Sequence, residues 1–180
     1  MNDTILRVCL ASTSKNPYHI FKTLIEHPLC RIHGPEHHII VGSCLLTAYK
    51  NAGGDINLES ALMEMQARAS KVPGGACGLW GACGAGISAG MFVSIVTECT
   101  PLKNEPWRQA NTMTASALMK IGHVGGPRCC KRNSYIAISE AVRFAKEELG
   151  VAMELGPISC TTFQSNNQCI GDRCPFWPGK

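Results

Sequence analysis

No Cys-x-x-Cys pair and no His-Glu-x-x-His run occurs anywhere in the 180 residues. The first absence removes the thioredoxin-type dithiol and the paired zinc ribbon, and the second removes the common zinc-protease helix. No apolar stretch reaches the roughly 18 residues that a bilayer-spanning helix needs. The opening MNDTILRVCLASTSKNP lacks both a basic segment and a long apolar one. No export signal is therefore expected, and the chain is placed in the cytoplasm, without a membrane partner. Aromatic residues are scarce, at 6%, and the net charge of +4 comes from scattered rather than clustered cations. Stacking platforms and a basic stripe are both missing, so no nucleic-acid partner is expected. Charged residues are also few, at 17% against 45% hydrophobic, which argues for a folded core.

What the chain has in excess is cysteine: eleven of them. An odd number cannot pair completely within one chain, and a reducing compartment opposes pairing in any case. Cys9, Cys44 and Cys99 sit among apolar or small neighbours and read as buried hydrophobes. The other eight, Cys30, Cys77, Cys83, Cys129, Cys130, Cys160, Cys169 and Cys174, lie beside glycine, proline, histidine or charge. Ligands and reactive thiols are commonly held in such places.

The hydrophobic pattern is helical. Residues 3–12 form a short first helix; a second starts at Asn16-Pro17 and ends before Pro28. Pro35 opens a third that stops at Gly53 and Gly54, and a fourth covers 57–70. Small residues recur every four positions at 78, 82, 86 and 90, which predicts a buried central helix over 81–97 with a backbone close against it. Further helices run from Pro106 to Ile121 and from an Asn133 cap to Gly150. The expected fold is all-α, one domain over 1–180, whose residues 151–180 hold a short strand and a cysteine-rich cap.

Four clusters carry chemistry. In CRIHGPEHH, His33, Glu36 and His37 share one side of a helix start, where they either bind a metal, act as acid and base, or merely cap. In PGGACGLWGACGAG, Cys77 meets Cys83 only if Cys77 precedes the central helix, near its positive end. The alternative is tight packing with inert thiols. In GGPRCCKRN, Cys129 and Cys130 sit at a helix start beside Lys131 and Arg132, a setting that favours thiolates. Adjacent cysteines strain badly as a disulfide, so one is expected to bind metal or react. In CTTFQSNNQCIGDRCPFWP, spacers of eight and four residues and a Cys-Pro step resemble pieces of iron–sulfur ligand runs. Cys129 or Cys130 with Cys160, Cys169 and Cys174 then supplies four soft ligands, suited to a [4Fe–4S] cluster, with zinc as the alternative.

The runs HGPEHHIIVGSCLLTAYKNAGG, PGGACGLWGACGAGISAG, GGPRCCKR and NNQCIGDRCPF resemble a poorly characterised family of anaerobic bacteria and archaea. Its members look like companions of SAM-dependent methyltransferases, sometimes fused to one, often with an N-terminal cysteine ribbon that these residues do not include. The resemblance implies a methyltransferase as partner. CGLWGACGAGISAG is also similar to a Gly-Cys-Ala-rich motif of small redox proteins, except that Gly84 replaces an alanine.

The function expected is an iron–sulfur enzyme acting on a small molecule, with converging helix starts that favour an anionic ligand or a negatively charged cluster. His33, Glu36, His37, Cys77 and Cys83 line its pocket, a histidine or Glu36 serves as acid or base, and Cys77 or Cys83 is the nucleophile. A metal-free thiol redox or sulfur-carrier protein and a zinc-stabilised methyltransferase module are the competing readings. Helix parity further predicts that His33, His37, Cys77, Cys83 and one of Cys129 and Cys130 surround one pocket, with the C-terminal loop as its lid.

Overall fold

The structure is a computed structural model that describes residues 1–179. It is all-helical, with no strand among the described residues. In order the helices are α1 (Asn2–Ala11), α2 (Pro17–Ile25), α3 (Glu36–Asn51), α4 (Leu58–Ala69), α5 (Ala76–Leu79), α6 (Gly84–Val96), α7 (Asn104–Val124) and α8 (Cys130–Glu148). Two 3-10 turns, Phe163–Ser165 and Gly171–Arg173, interrupt the C-terminal segment. No helix is long and apolar enough to cross a membrane.

Local signals account for most boundaries. Pro17 opens α2 with its fixed φ, and the Asn16 side chain accepts the Tyr18 N–H at 2.9 Å. Asn57 caps α4 through the Ser60 N–H at 3.0 Å. Gly53, at φ +101°, stops α3, while Gly125, at φ +77°, stops α7.

Three expectations are corrected. The last helix begins at Cys130 rather than after Asn133, because Cys129 supplies the cap: its sulfur accepts the Arg132 N–H at 3.5 Å. The strand expected after Val151 does not form; the backbone there pairs sparsely, as in Glu154 N–H to the Lys15 carbonyl and Cys160 N–H to the Phe176 carbonyl. The most enclosed helix is α3, which packs against α1, α2, α4, α6 and α8. Its residues Ile39–Tyr49 are all buried, since the stretch IIVGSCLLTAY carries no charged side chain on any face.

Helix α6 lies between α3 and α7, and its small residues do what their spacing predicts. A Cβ at Gly90 would overlap Thr114 and come within 3.1 Å of the Ala110 carbonyl oxygen; one at Gly84 would overlap the His38 ring. On α3, the Gly42 N–H donates to Ser88 Oγ at 2.9 Å, and Ser88 in turn donates to the His38 carbonyl at 2.5 Å. These close approaches, with α8 packed on both α3 and α6, set the first turns of α3, α6 and α8 at one end of the molecule.

Candidate functional site

At that end lies a cavity of about 160 Å³. The segment before α3 brings His33, α3 brings His37 and His38, α5 brings Cys77, the start of α6 brings Cys83, and α8 brings Cys130 and Asn133. Arg31 and Arg128 also line it, whereas no carboxylate does among the described residues. Cys77 stands in a one-turn helix of its own ahead of α6, the displacement from α6 that convergence with Cys83 required.

Each imidazole is held in one orientation by its partners. His33 Nε2 lies 3.1 Å from Asn166 Oδ1, and its Nδ1 accepts the Cys130 N–H at 3.5 Å, so the Nε2–H tautomer fits. Burial, with the positive charges of Arg128 and Lys131, lowers its pKa despite the bond to Asn166. His38 directs Nδ1 at the Val72 carbonyl, 3.3 Å away, which turns Nε2 away from that bond. Burial lowers its pKa too.

His37 is different. It is 1% exposed. Its Nδ1 bonds the Gly34 carbonyl at 3.0 Å and its Nε2 meets Lys131 Nζ at 2.8 Å. Burial first, and then the charge on Lys131, push its pKa down to about 3. A ring with both nitrogens engaged, and neutral far below pH 7, orients its neighbours rather than shuttling protons.

Glu36 is also not an acid–base group of this cavity, because it does not reach the lining. Its carboxylate accepts the Arg31 N–H at 2.9 Å and the Arg31 guanidinium at 3.2 and 2.8 Å. Burial alone would raise the pKa of this carboxyl, but the bonds from Arg31 outweigh it and hold the value at about 2.

Cys30, Glu36 and His37 bring their ligand atoms within 4.8 Å of one another, a spacing compatible with a metal ion. The position is taken, however. Lys131 Nζ lies 2.8 Å from His37 Nε2, 3.4 Å from Cys30 Sγ and 2.9 Å from the Arg31 carbonyl. Those contacts match the three donors of an amine head group. A cation there would have to expel a buried lysine, so this cluster is a clamp between α8 and the residue 30–37 segment.

The second cleft is narrow and mostly apolar. Cys129, Cys160, Cys169 and Cys174 line it, with Tyr135, Phe163, Ile170 and Trp177 as walls. The C-terminal segment thus closes over this cleft and not over the larger cavity. The open choice between the adjacent cysteines is resolved by their direction: Cys129 joins Cys160, Cys169 and Cys174, while Cys130 faces the cavity and is corrected as a metal ligand.

Donors surround the sulfurs. Besides the Arg132 N–H, Asn166 Nδ2 donates to Cys129 Sγ at 3.6 Å, the Gly171 N–H donates to Cys169 Sγ at 3.4 Å, and Thr162 Oγ1 lies 3.6 Å from Cys160 Sγ. Burial raises the thiol pKa of Cys129 and Cys174, and the neighbouring Cys160 raises both further. Cys129 and Cys130 are consecutive, so the two sites share the first turn of α8. Asn166 links them directly, with one end on His33 and the other on Cys129.

Lys131, Asn133 and Asn166 have structural roles that the sequence pattern did not single out. Lys131 had signalled only positive charge, and Asn133 only a cap. Nothing local marks a mid-loop asparagine such as Asn166 as a bridge.

Residues 5–177 match the profile of a family of unknown function (DUF5714), and the chain belongs to that family. No curated protein and no solved structure matches it.

Proposed function

We propose that this member of a family of unknown function is an iron–sulfur enzyme acting on a small molecule. Cys129, Cys160, Cys169 and Cys174 would hold a [4Fe–4S] cluster, and the adjoining cavity would receive the substrate. The observation that carries this reading is the convergence of four cysteines, from the start of α8 and from the C-terminal segment, on one apolar cleft.

The four-residue spacer before Cys174 and the Cys-Pro step after it occur in iron–sulfur ligand runs and favour a cluster over zinc. Four thiolates on one zinc lie about 3.8 Å apart, from a Zn–S bond of roughly 2.3 Å and tetrahedral angles. Among the described residues, no three of these cysteines bring their sulfurs within 4.8 Å of one another. A cluster carries its ligands on separate irons and so holds them farther apart than one zinc ion does. N–H groups bonded to the sulfurs, as here, are also what tunes such clusters. Seating one requires the loosely paired 151–179 segment to yield outward, and few backbone bonds resist that.

A bound cluster would supply electrons, or an iron atom able to polarise a substrate. The rest of the chemistry falls to the chain. Arg128 favours an anionic substrate, whereas the charge of Arg31 is taken up by Glu36. His33, neutral and oriented by Asn166, is the group placed to move a proton. Cys77 and Cys83 are the candidate nucleophiles. A SAM-dependent methyltransferase as partner rests on the sequence resemblance alone and is proposed on that basis only.

Anaerobic purification followed by iron and sulfide analysis tests the reading. Brown protein with about four irons per chain is expected, lost in Cys160→Ser and Cys174→Ser and retained in Cys130→Ser. Protein that stays colourless and iron-free after anaerobic reconstitution rules the cluster out.

A further inference from the structure

Cys83 and Cys130 both line the cavity, but they differ in what else they face. Cys83 and Cys77 also border an open groove of about 470 Å³ beside it, and of these two it is Cys83 that an α8 side chain holds. Cys130 borders the cavity and not the groove. The two side chains lie against the same stretch of α8. Asn133 Nδ2 donates to Cys83 Sγ at 3.3 Å, and Asn133 stands one helical turn along from Cys130. Both side chains thus meet in one cavity against a single turn of α8. Arg128 lines both openings and Arg132 the groove, the charge of Arg31 being paired with Glu36, and no carboxylate lines either opening among the described residues.

We propose that Cys83 and Cys130 form a redox pair that exchanges with a small anionic disulfide, Cys83 attacking from the groove and Cys130 resolving from the cavity. This rests on reading the cavity as the substrate site and does not require the cluster. In the first step the Cys83 sulfur bonds one sulfur of the small disulfide. The sulfur–sulfur bond of that molecule breaks, and the first small thiolate leaves and takes up the proton that Cys83 gave up. In the second step Cys130 attacks the Cys83 sulfur, the mixed disulfide breaks, and the second small thiol leaves with the proton from Cys130. Two cysteine thiols are oxidised by two electrons, and one small disulfide is reduced to two thiols. The exchange is reversible, so an excess of small thiol runs it backwards.

The test uses anaerobically purified full-length protein, with iron measured on the same preparation. The probe is 3,3′-dithiodipropionate, which carries two carboxylates, followed by acid quenching, alkylation and peptide mass mapping. The expected product joins the peptides of Cys83 and Cys130 and leaves Cys77 open to alkylation. Cationic cystamine should react more slowly, on the order of tenfold. Cys130→Ser, checked for unchanged helicity, should stop at a mixed disulfide on Cys83. A Cys77–Cys83 link, or mixed disulfides with no internal link in the native chain, overturns the pair. Equal rates for the two reagents overturn the anionic assignment. Iron-free protein that still forms the Cys83–Cys130 link would remove the cluster and leave the pair standing; iron-loaded protein that does not form it would do the reverse.

Discussion

Lys131 is 1% exposed, and its amine meets the His37 ring, the Cys30 sulfur and the Arg31 carbonyl. Replacing it with methionine keeps much of the buried stem but leaves those acceptors without a donor. Lys131→Met should cost about 1–3 kcal/mol, the penalty for buried polar groups left unpaired, read from urea unfolding. The same change removes a positive charge from beside His37, so the ring pKa should climb from its depressed value, followed by NMR titration. His37 also sets a pH dependence. Its pKa is about 3 in the fold against an ordinary value near 6.5, so the unfolded chain takes up a proton first as pH falls. Stability from this ring is complete above about pH 6.5 and is lost progressively toward pH 3. Glu36, together with Glu140 on α8, whose buried carboxylate is bonded by Arg143, Lys120 and Ser116, is held at about 2, and the two add a second loss below about pH 4.5. Urea midpoints at several pH values should show the first decline in the native chain and not in His37→Gln.

At the scale of the helices, the packing of α6 on α7 is the sharpest test of small-residue spacing. Gly90→Ala should destabilise by about 1–3 kcal/mol, because the Ala110 backbone carbonyl cannot yield as a flexible side chain could. Gly122, on the exposed side of α7, has nothing within 4 Å of an added Cβ. There alanine should stabilise by about 0.5–1 kcal/mol, since only the entropy of the unfolded glycine changes. Thermal unfolding of the two variants should therefore move in opposite directions. The start of α8 shows the limit of cap reading. Asn133 has the right chemistry for a cap, yet Cys129, four residues earlier, takes that place through its sulfur. The helix then extends back far enough to separate Cys129 from Cys130, one to each site.

At the scale of the molecule, a helical body carries a C-terminal segment that contributes three of the four clustered cysteines. That segment has only isolated backbone bonds of its own, together with Tyr18 donating its hydroxyl to the Ser159 carbonyl at 3.0 Å. If iron holds it down, removing the metal should loosen this part and leave the rest folded. Hydrogen exchange should then accelerate across residues 159–177 on chelation, with α3 and α6 unchanged. Uniform acceleration would mean that the metal supports the whole core, and no change would mean that it supports neither.

The helical class, most helix ends and three of the four clustered cysteines, Cys160, Cys169 and Cys174, were determined by the sequence alone. Those features depend on short-range physics: proline and glycine at fixed positions, apolar period, and residues such as Pro17 and Gly53 whose backbone preferences need no partner. The two-site arrangement was decided by tertiary structure, because it depends on where separate segments aim. Cys129 and Cys130 carry almost the same local signal, and only the direction of each from the first turn of α8 assigns one to the cleft and the other to the cavity. Glu36 and His37 looked like an acid and a base until burial, Arg31 and Lys131 engaged them. Asn166, joining His33 to Cys129 across more than a hundred residues of chain, has no local pattern to betray it. A bridge of that kind exists only once the fold has brought its two ends together.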